Sequence, residues 1–152
     1  MILFLALLIG VVAGLRAMMA PAVVSWLSAK GILNLEGHWL AFLGYRWTPW
    51  ILTVAAAGEL VSDQLPSTPS RKVPPQFGAR IVMGAVAGAT LAMPSQQGFE
   101  GALLGIVGAV AGTFGGAAFR NRLATFFRND HPAALIEDVL ALALSAAVAL
   151  MI

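Results

Sequence analysis

Four ionisable side chains stand where charge is costly, inside or at the edge of long apolar runs: Arg16, Glu59, Asp63 and Glu137. A guanidinium stays charged at any relevant pH, so Arg16 requires a carboxylate, backbone carbonyls or a water-filled cavity. Glu59 and Asp63 are spaced i, i+4, which puts both carboxylates on one face of a helix. A carboxylate that changes protonation within a membrane is the requirement of a proton relay, and Glu59, a turn deeper than Asp63, is the candidate. Each residue also has a plain structural reading. Arg16 and Glu59 serve as members of a salt bridge, and Asp63 as a solvated group or a partner of Arg71, Lys72 or Arg80. Glu137 and Asp138 open a helix whose dipole favours negative charge. Adjacent helical residues point about 100° apart, so only one of that pair is expected to face a bundle. Glu137 is the weaker candidate, as a partner of Arg120 or Arg122.

The elements that must position these groups follow from composition. Apolar residues are 59% of the chain and charged residues only 11%, where a soluble domain carries about 25% charged. Too few polar side chains exist to cover a water-facing surface, so lipid is the expected solvent. The fold class is therefore all-α, a polytopic transmembrane bundle forming one integral membrane domain over 1–152. The absence of cysteine excludes disulfides, thiolate metal sites and cysteine nucleophiles. His38 and His131 form no helical metal pair, and no metal ligand set or cofactor is expected. A net charge of +2, without a basic run interleaved with aromatics, gives no nucleic-acid footprint. With no serine–histidine set and no aspartate array of a CDP-alcohol transferase, no catalytic residue is assigned.

Five spans are expected, at about 2–28, 39–65, 77–93, 99–127 and 132–152, since a crossing takes about 20 residues. The first segment lacks a basic n-region, and a small-residue site at Ala20 is followed by Pro21, so it reads as a retained helix, not a signal peptide. Pro21 is expected to kink it. Arg71, Lys72, Arg80, Arg120, Arg122 and Arg128 gather at one side, with only Lys30 and Arg46 opposite. The positive-inside rule then puts the N-terminus in the cytoplasm and the C-terminus outside. Trp39, Phe42, Tyr45, Trp47 and Trp50 make an aromatic belt at the outer interface. The proline-rich linker at 65–80 is expected to be non-helical, a stiff cytoplasmic strap near anionic headgroups.

Gly101, Gly105, Gly108, Gly112 and Gly116 recur at three and four residues, as do Gly84 with Gly88 and Gly10 with Gly14. In lipid this spacing allows close backbone packing, either within a bundle or across a homodimer interface on the fourth span. An inverted repeat of two, one and two spans is suggested by Val12-Ala13-Gly14 against Val110-Ala111-Gly112. Interruptions at Pro21 and at Gly115-Gly116 would be its paired breaks.

Gly14-Leu15-Arg16-Ala17 with Pro21, Glu59-x-x-x-Asp63-x-Leu65-Pro66, Thr68-Pro69-Ser70-Arg71 and Ala79-Arg80 with Gly84 resemble one family. It is the bacterial membrane-protein family catalogued as domain of unknown function 4126, and the resemblance runs from about Gly10 to Gly88. Gln64 follows the aspartate where that family commonly carries lysine, so a pairing role there is not carried over. The resemblance implies a small polytopic protein of the bacterial cytoplasmic membrane and supplies no substrate. The functional expectation is a transporter or channel for a small polar or anionic solute or a lipid headgroup, proton-coupled through Glu59. The alternative is a membrane scaffold or lipid-binding subunit in which the same charges are internal struts.

Overall fold

The computed structural model describes residues 1–63 and 72–152, and over these the chain is all-helical. The helices are α1 (Ile2–Leu15), α2 (Met19–Ala29), α3 (Thr48–Ser62), α4 (Pro74–Ala92), α5 (Gly98–Phe127) and α6 (Asp130–Met151). A short 3-10 turn, Trp39–Gly44, precedes α3. Among the described residues, three segments are long and apolar enough to cross a membrane: Pro74–Ser95, Gly98–Phe127 and Asp130–Met151. The apolar helices α1 and α2 are shorter.

Local chemistry explains the boundaries, and several differ from expectation. The first apolar run is broken, not kinked, and the break lies at Arg16, whose backbone is extended at φ −141° and ψ 108°. Pro21 is the third residue of α2, in the first turn, where its missing N–H is not needed. Proline there ends nothing. The second run is likewise divided, because Trp39–Gly44 winds separately and Pro49 sits at the start of α3. Pro74 and Pro75 occupy the opening turn of α4, so that helix starts ahead of Phe77. Through Gly115-Gly116 α5 continues without a break, since glycine retains the N–H that proline lacks. The Asn129 side chain accepts a hydrogen bond from the His131 N–H at 3.1 Å and caps α6.

The packing core is α5 laid against α1 and α4 with almost no side chain between. A Cβ added to Gly10 would lie 2.3 Å from the Gly105 carbonyl oxygen, and one on Gly14 would lie 2.4 Å from that of Ala109. On the other side, a Cβ on Gly88 would lie 2.2 Å from the Gly101 oxygen and one on Gly105 2.1 Å from the Gly84 oxygen. Gly101, Gly105, Gly108 and Gly112 are thus used within the chain. The face expected to join two copies is covered by α1 and α4.

These pairings fix directions. Residues 10 and 14 match 105 and 109–113, so α1 and α5 run parallel, whereas 84 and 88 match 105 and 101, so α4 is antiparallel to both. An inverted repeat would set the first helix of each half in opposite directions; here they run together, and α5 has no counterpart of the break. Helices α2 and α3 form an antiparallel hairpin. Its open end is held by Glu59 at Ala17 and Met18, and the Trp26 indole donates to the Thr53 hydroxyl at 3.0 Å further along. Because Asp63 and Asp138 both meet Arg16, this hairpin starts and finishes at one level and adds no net crossing. The end carrying Met1 therefore also carries the α4–α5 turn and Ile152. That differs from the expected opposite placement of the termini, which rested on reading 2–28 as one straight crossing.

Candidate functional site

A helix leaves its last carbonyls and first N–H groups without intrahelical partners. In an apolar interior each unmet group costs several kcal/mol on transfer scales, roughly 2–7. The break at Arg16 creates both kinds of end beside each other, and the chain meets both with charged side chains. Arg80 Nη1 donates to the carbonyl oxygens of Gly14 at 2.8 Å and Leu15 at 2.7 Å, the C-terminal end of α1. The Thr113 hydroxyl lies 3.3 Å from the same Gly14 oxygen. Opposite, the Ala17 and Met18 N–H groups donate to Glu59 Oε1 and Oε2, each at 2.8 Å. The signs suit the helix dipoles: a cation at the end of α1 and an anion at the start of α2.

Two further layers of charge enclose this arrangement. Arg80 Nη2 lies 3.7 Å from Glu59 Oε1, joining the two capping groups. The Arg16 guanidinium, fully buried, bridges two helices, with Nη1 on Asp63, which caps the end of α3, and Nη2 on Asp138 of α6. Beyond it, Arg120 donates through Nε to Asp130 at 3.0 Å and reaches Glu137 with Nη1 at 3.7 Å. The i, i+4 spacing of α3 thus divides its labour: Glu59 takes backbone and Asp63 takes the guanidinium. What results is an ion-paired joint tying the break to α3, α4 and α6.

Compared with protein-family models, curated proteins and solved structures, this chain matches none. Among the described residues no three or more His, Cys, Asp or Glu side chains converge to hold a metal ion. A cavity of about 410 Å³, lined in part by Ser28, Leu33, Gly44 and Tyr45, lies at the other end of the α2–α3 hairpin and holds no buried charge.

Of the residues singled out in the sequence, Arg16, Glu59, Asp63 and Arg80 meet in one cluster. Glu137 meets Arg120 next to it, and Arg71 lies outside the described residues. The expectation that only one of Glu137 and Asp138 faces inward fails. Glu137 is fully buried and Asp138 nearly so, because the two carboxylates turn to different arginines, Arg120 and Arg16. Asp138 and Thr113 were missed as members. Thr113 had a signal in the sequence, a hydroxyl set into a stripe of glycines, whereas nothing in sequence phases Asp138.

Glu59→Gln tests the cap directly. The amide keeps one acceptor oxygen but presents an NH₂ where the second backbone N–H now donates, and it removes the charge opposite Arg80. A loss of about 1–3 kcal/mol is expected, the cost of an unmet buried donor. Reversible unfolding in mixed micelles measures it. A midpoint equal to wild type would mean that Glu59 does not hold the break.

Proposed function

We propose that this chain is a small membrane transporter or channel for a small polar or anionic solute, with the break in its first helix as the working part. One observation carries the reading. Both ends of an interrupted apolar helix are held by ionised side chains, Glu59 on two N–H groups and Arg80 on two carbonyls. Discontinuous helices whose ends face charged groups are how many transporters build a site away from the membrane surface. Glu59 is the group whose protonation would loosen the α2 end, which couples solute passage to protons. Its motifs resemble those of the bacterial family catalogued as domain of unknown function 4126, which supports a reading as a protein of the bacterial cytoplasmic membrane. By the distribution of Lys72, Arg120, Arg122 and Arg128, the α5–α6 turn faces the cytoplasm and both termini face outward.

Sealed proteoliposomes carrying a pH-sensitive dye test this. The wild type is expected to speed the pH change that follows an imposed gradient of a small anion, and folded Glu59→Gln to lose that effect. Flux equal to protein-free vesicles, or equal in the variant, sinks the proposal. A second reading, a non-catalytic scaffold, is favoured by one fact: Arg16, Glu59, Asp63 and Asp138 already have ionic or backbone partners within the chain. It predicts that substitutions here lower folded yield while no flux is seen for any variant.

A further inference from the structure

The far end of α5 is longer than any crossing needs. Its thirty residues extend about 45 Å at 1.5 Å each, against a hydrocarbon core of about 30 Å. The surplus, some ten residues, carries the last turns of α5 and the α5–α6 turn into the headgroup layer. Those turns bear exposed Arg122 and Arg128, and among the described residues neither has an acidic partner. Lys72 stands at the same end, its ammonium 5.8 Å from the centre of the Phe114 ring. Phe126 is 80% exposed and Phe127 43%, and their rings meet edge to face at 5.2 Å. Such aromatic groups suit the boundary between acyl chains and headgroups.

A second feature singles out Arg128. Its backbone is left-handed, with φ +53°, a conformation that glycine adopts freely and a side chain with Cβ does not. Glycine is the usual residue in that place after a helix. An arginine stands there against that local preference, at the same exposed end as Arg122. The helix dipole favours a cation at the end of α5 but falls off within the last turn, so it does not account for Arg122.

We infer that this end of the bundle binds the phosphodiester of anionic phospholipids, with Arg122 and Arg128 as the recognising groups and Phe126 and Phe127 as apolar anchors beside them. Guanidinium forks fit phosphate oxygens in pairs, and the unmatched positive charge distinguishes anionic lipid from zwitterionic. The inference rests on the chain spanning a membrane and is independent of whether it transports anything.

The test is lipid retention. Purified protein is equilibrated with mixed micelles of phosphatidylglycerol and phosphatidylcholine in equal amounts, and bound lipid is counted by native mass spectrometry. Wild type is expected to enrich phosphatidylglycerol several-fold. Arg122→Gln with Arg128→Gln should lose most of that enrichment, and Arg122→Gln alone a part of it. Arg46→Gln, a change at an exposed cation held over Trp47, should keep it. No enrichment by wild type, or full enrichment by the double variant, overturns the inference. So does loss of enrichment in millimolar inorganic phosphate, which would mean that the site takes free phosphate instead of lipid.

Discussion

Arg16→Met is expected to destabilise the folded state in detergent by about 3–5 kcal/mol, the cost of leaving a buried charge unpaired. Methionine matches the arginine stem in length and supplies no charge. Asp63 and Asp138, whose side chains are 13% and 12% exposed, would then face each other's charge without the guanidinium between them. Domains have total stabilities of about 5–15 kcal/mol, so this one change removes a large share. Arg16→Lys should recover little, because one compact ammonium cannot bridge two carboxylates on separate helices as a planar fork does. Replacing both acids as well, by Asp63→Asn and Asp138→Asn, should restore part of the loss, since the unpaired charges are what destabilise the single variant. Equal stability of Arg16→Met and the threefold variant would refute the bridge.

Gly105→Val is expected to be as damaging by a different route. Gly105 lies where α1, α4 and α5 cross, and any Cβ there would sit 2.1 Å from the Gly84 oxygen and 2.8 Å from its carbonyl carbon. Those are backbone atoms of a packed helix, with no rotamer to yield. Gly105→Ala should cost about 1–3 kcal/mol and valine at least the upper end of that range, as overpacking does when neighbours cannot move. Gly58→Ala and Gly115→Ala make the contrast. Nothing lies within 4 Å of a Cβ at either position, and alanine in a helix interior is favoured over glycine by about 0.5–1 kcal/mol. Those two should be neutral or stabilised. If Gly105→Ala behaves like Gly58→Ala in the same unfolding assay, the helices do not approach as described.

Much of this arrangement was legible in the sequence because lipid-facing chains leave few choices. The glycine spacing announced close packing, and the packing is there between α1, α4 and α5. The extents of α5 and α6 lie within a few residues of the expected ones, since Pro94 and Asn129-Asp130-His131-Pro132 punctuate them plainly. Arg16, Glu59 and Asp63 stood out because a charge inside an apolar run needs a partner. Less was legible of how they pair. That Glu59 would cap backbone as well as meet Arg80 depended on a break that hydropathy does not register, because an extended residue leaves the apolar count unchanged. Arg80 read as part of a basic linker, yet it is 2% exposed and caps α1. Sequence gives the charge but not the depth at which α4 starts. Chain direction differs for the same reason: one unread break reverses α1 relative to α4, α5 and α6.

The parallel contact of α1 with α5 also has a consequence for the order of assembly at the ribosome. Gly10 and Gly14 find their partners at Gly105 and Ala109, and Arg16 finds Asp138 a full 122 residues later. At about 5–20 residues per second, α1 waits on the order of ten seconds before α5 exists to receive it. During that interval a helix with a bare glycine face and an unmatched guanidinium must be lodged in, or beside, the membrane. An element made before α5 is thus among the last to be completed. A chaperone or insertase that shelters α1 would act before α5 emerges, and loss of α6 would leave Arg16 without Asp138 even in a chain otherwise inserted.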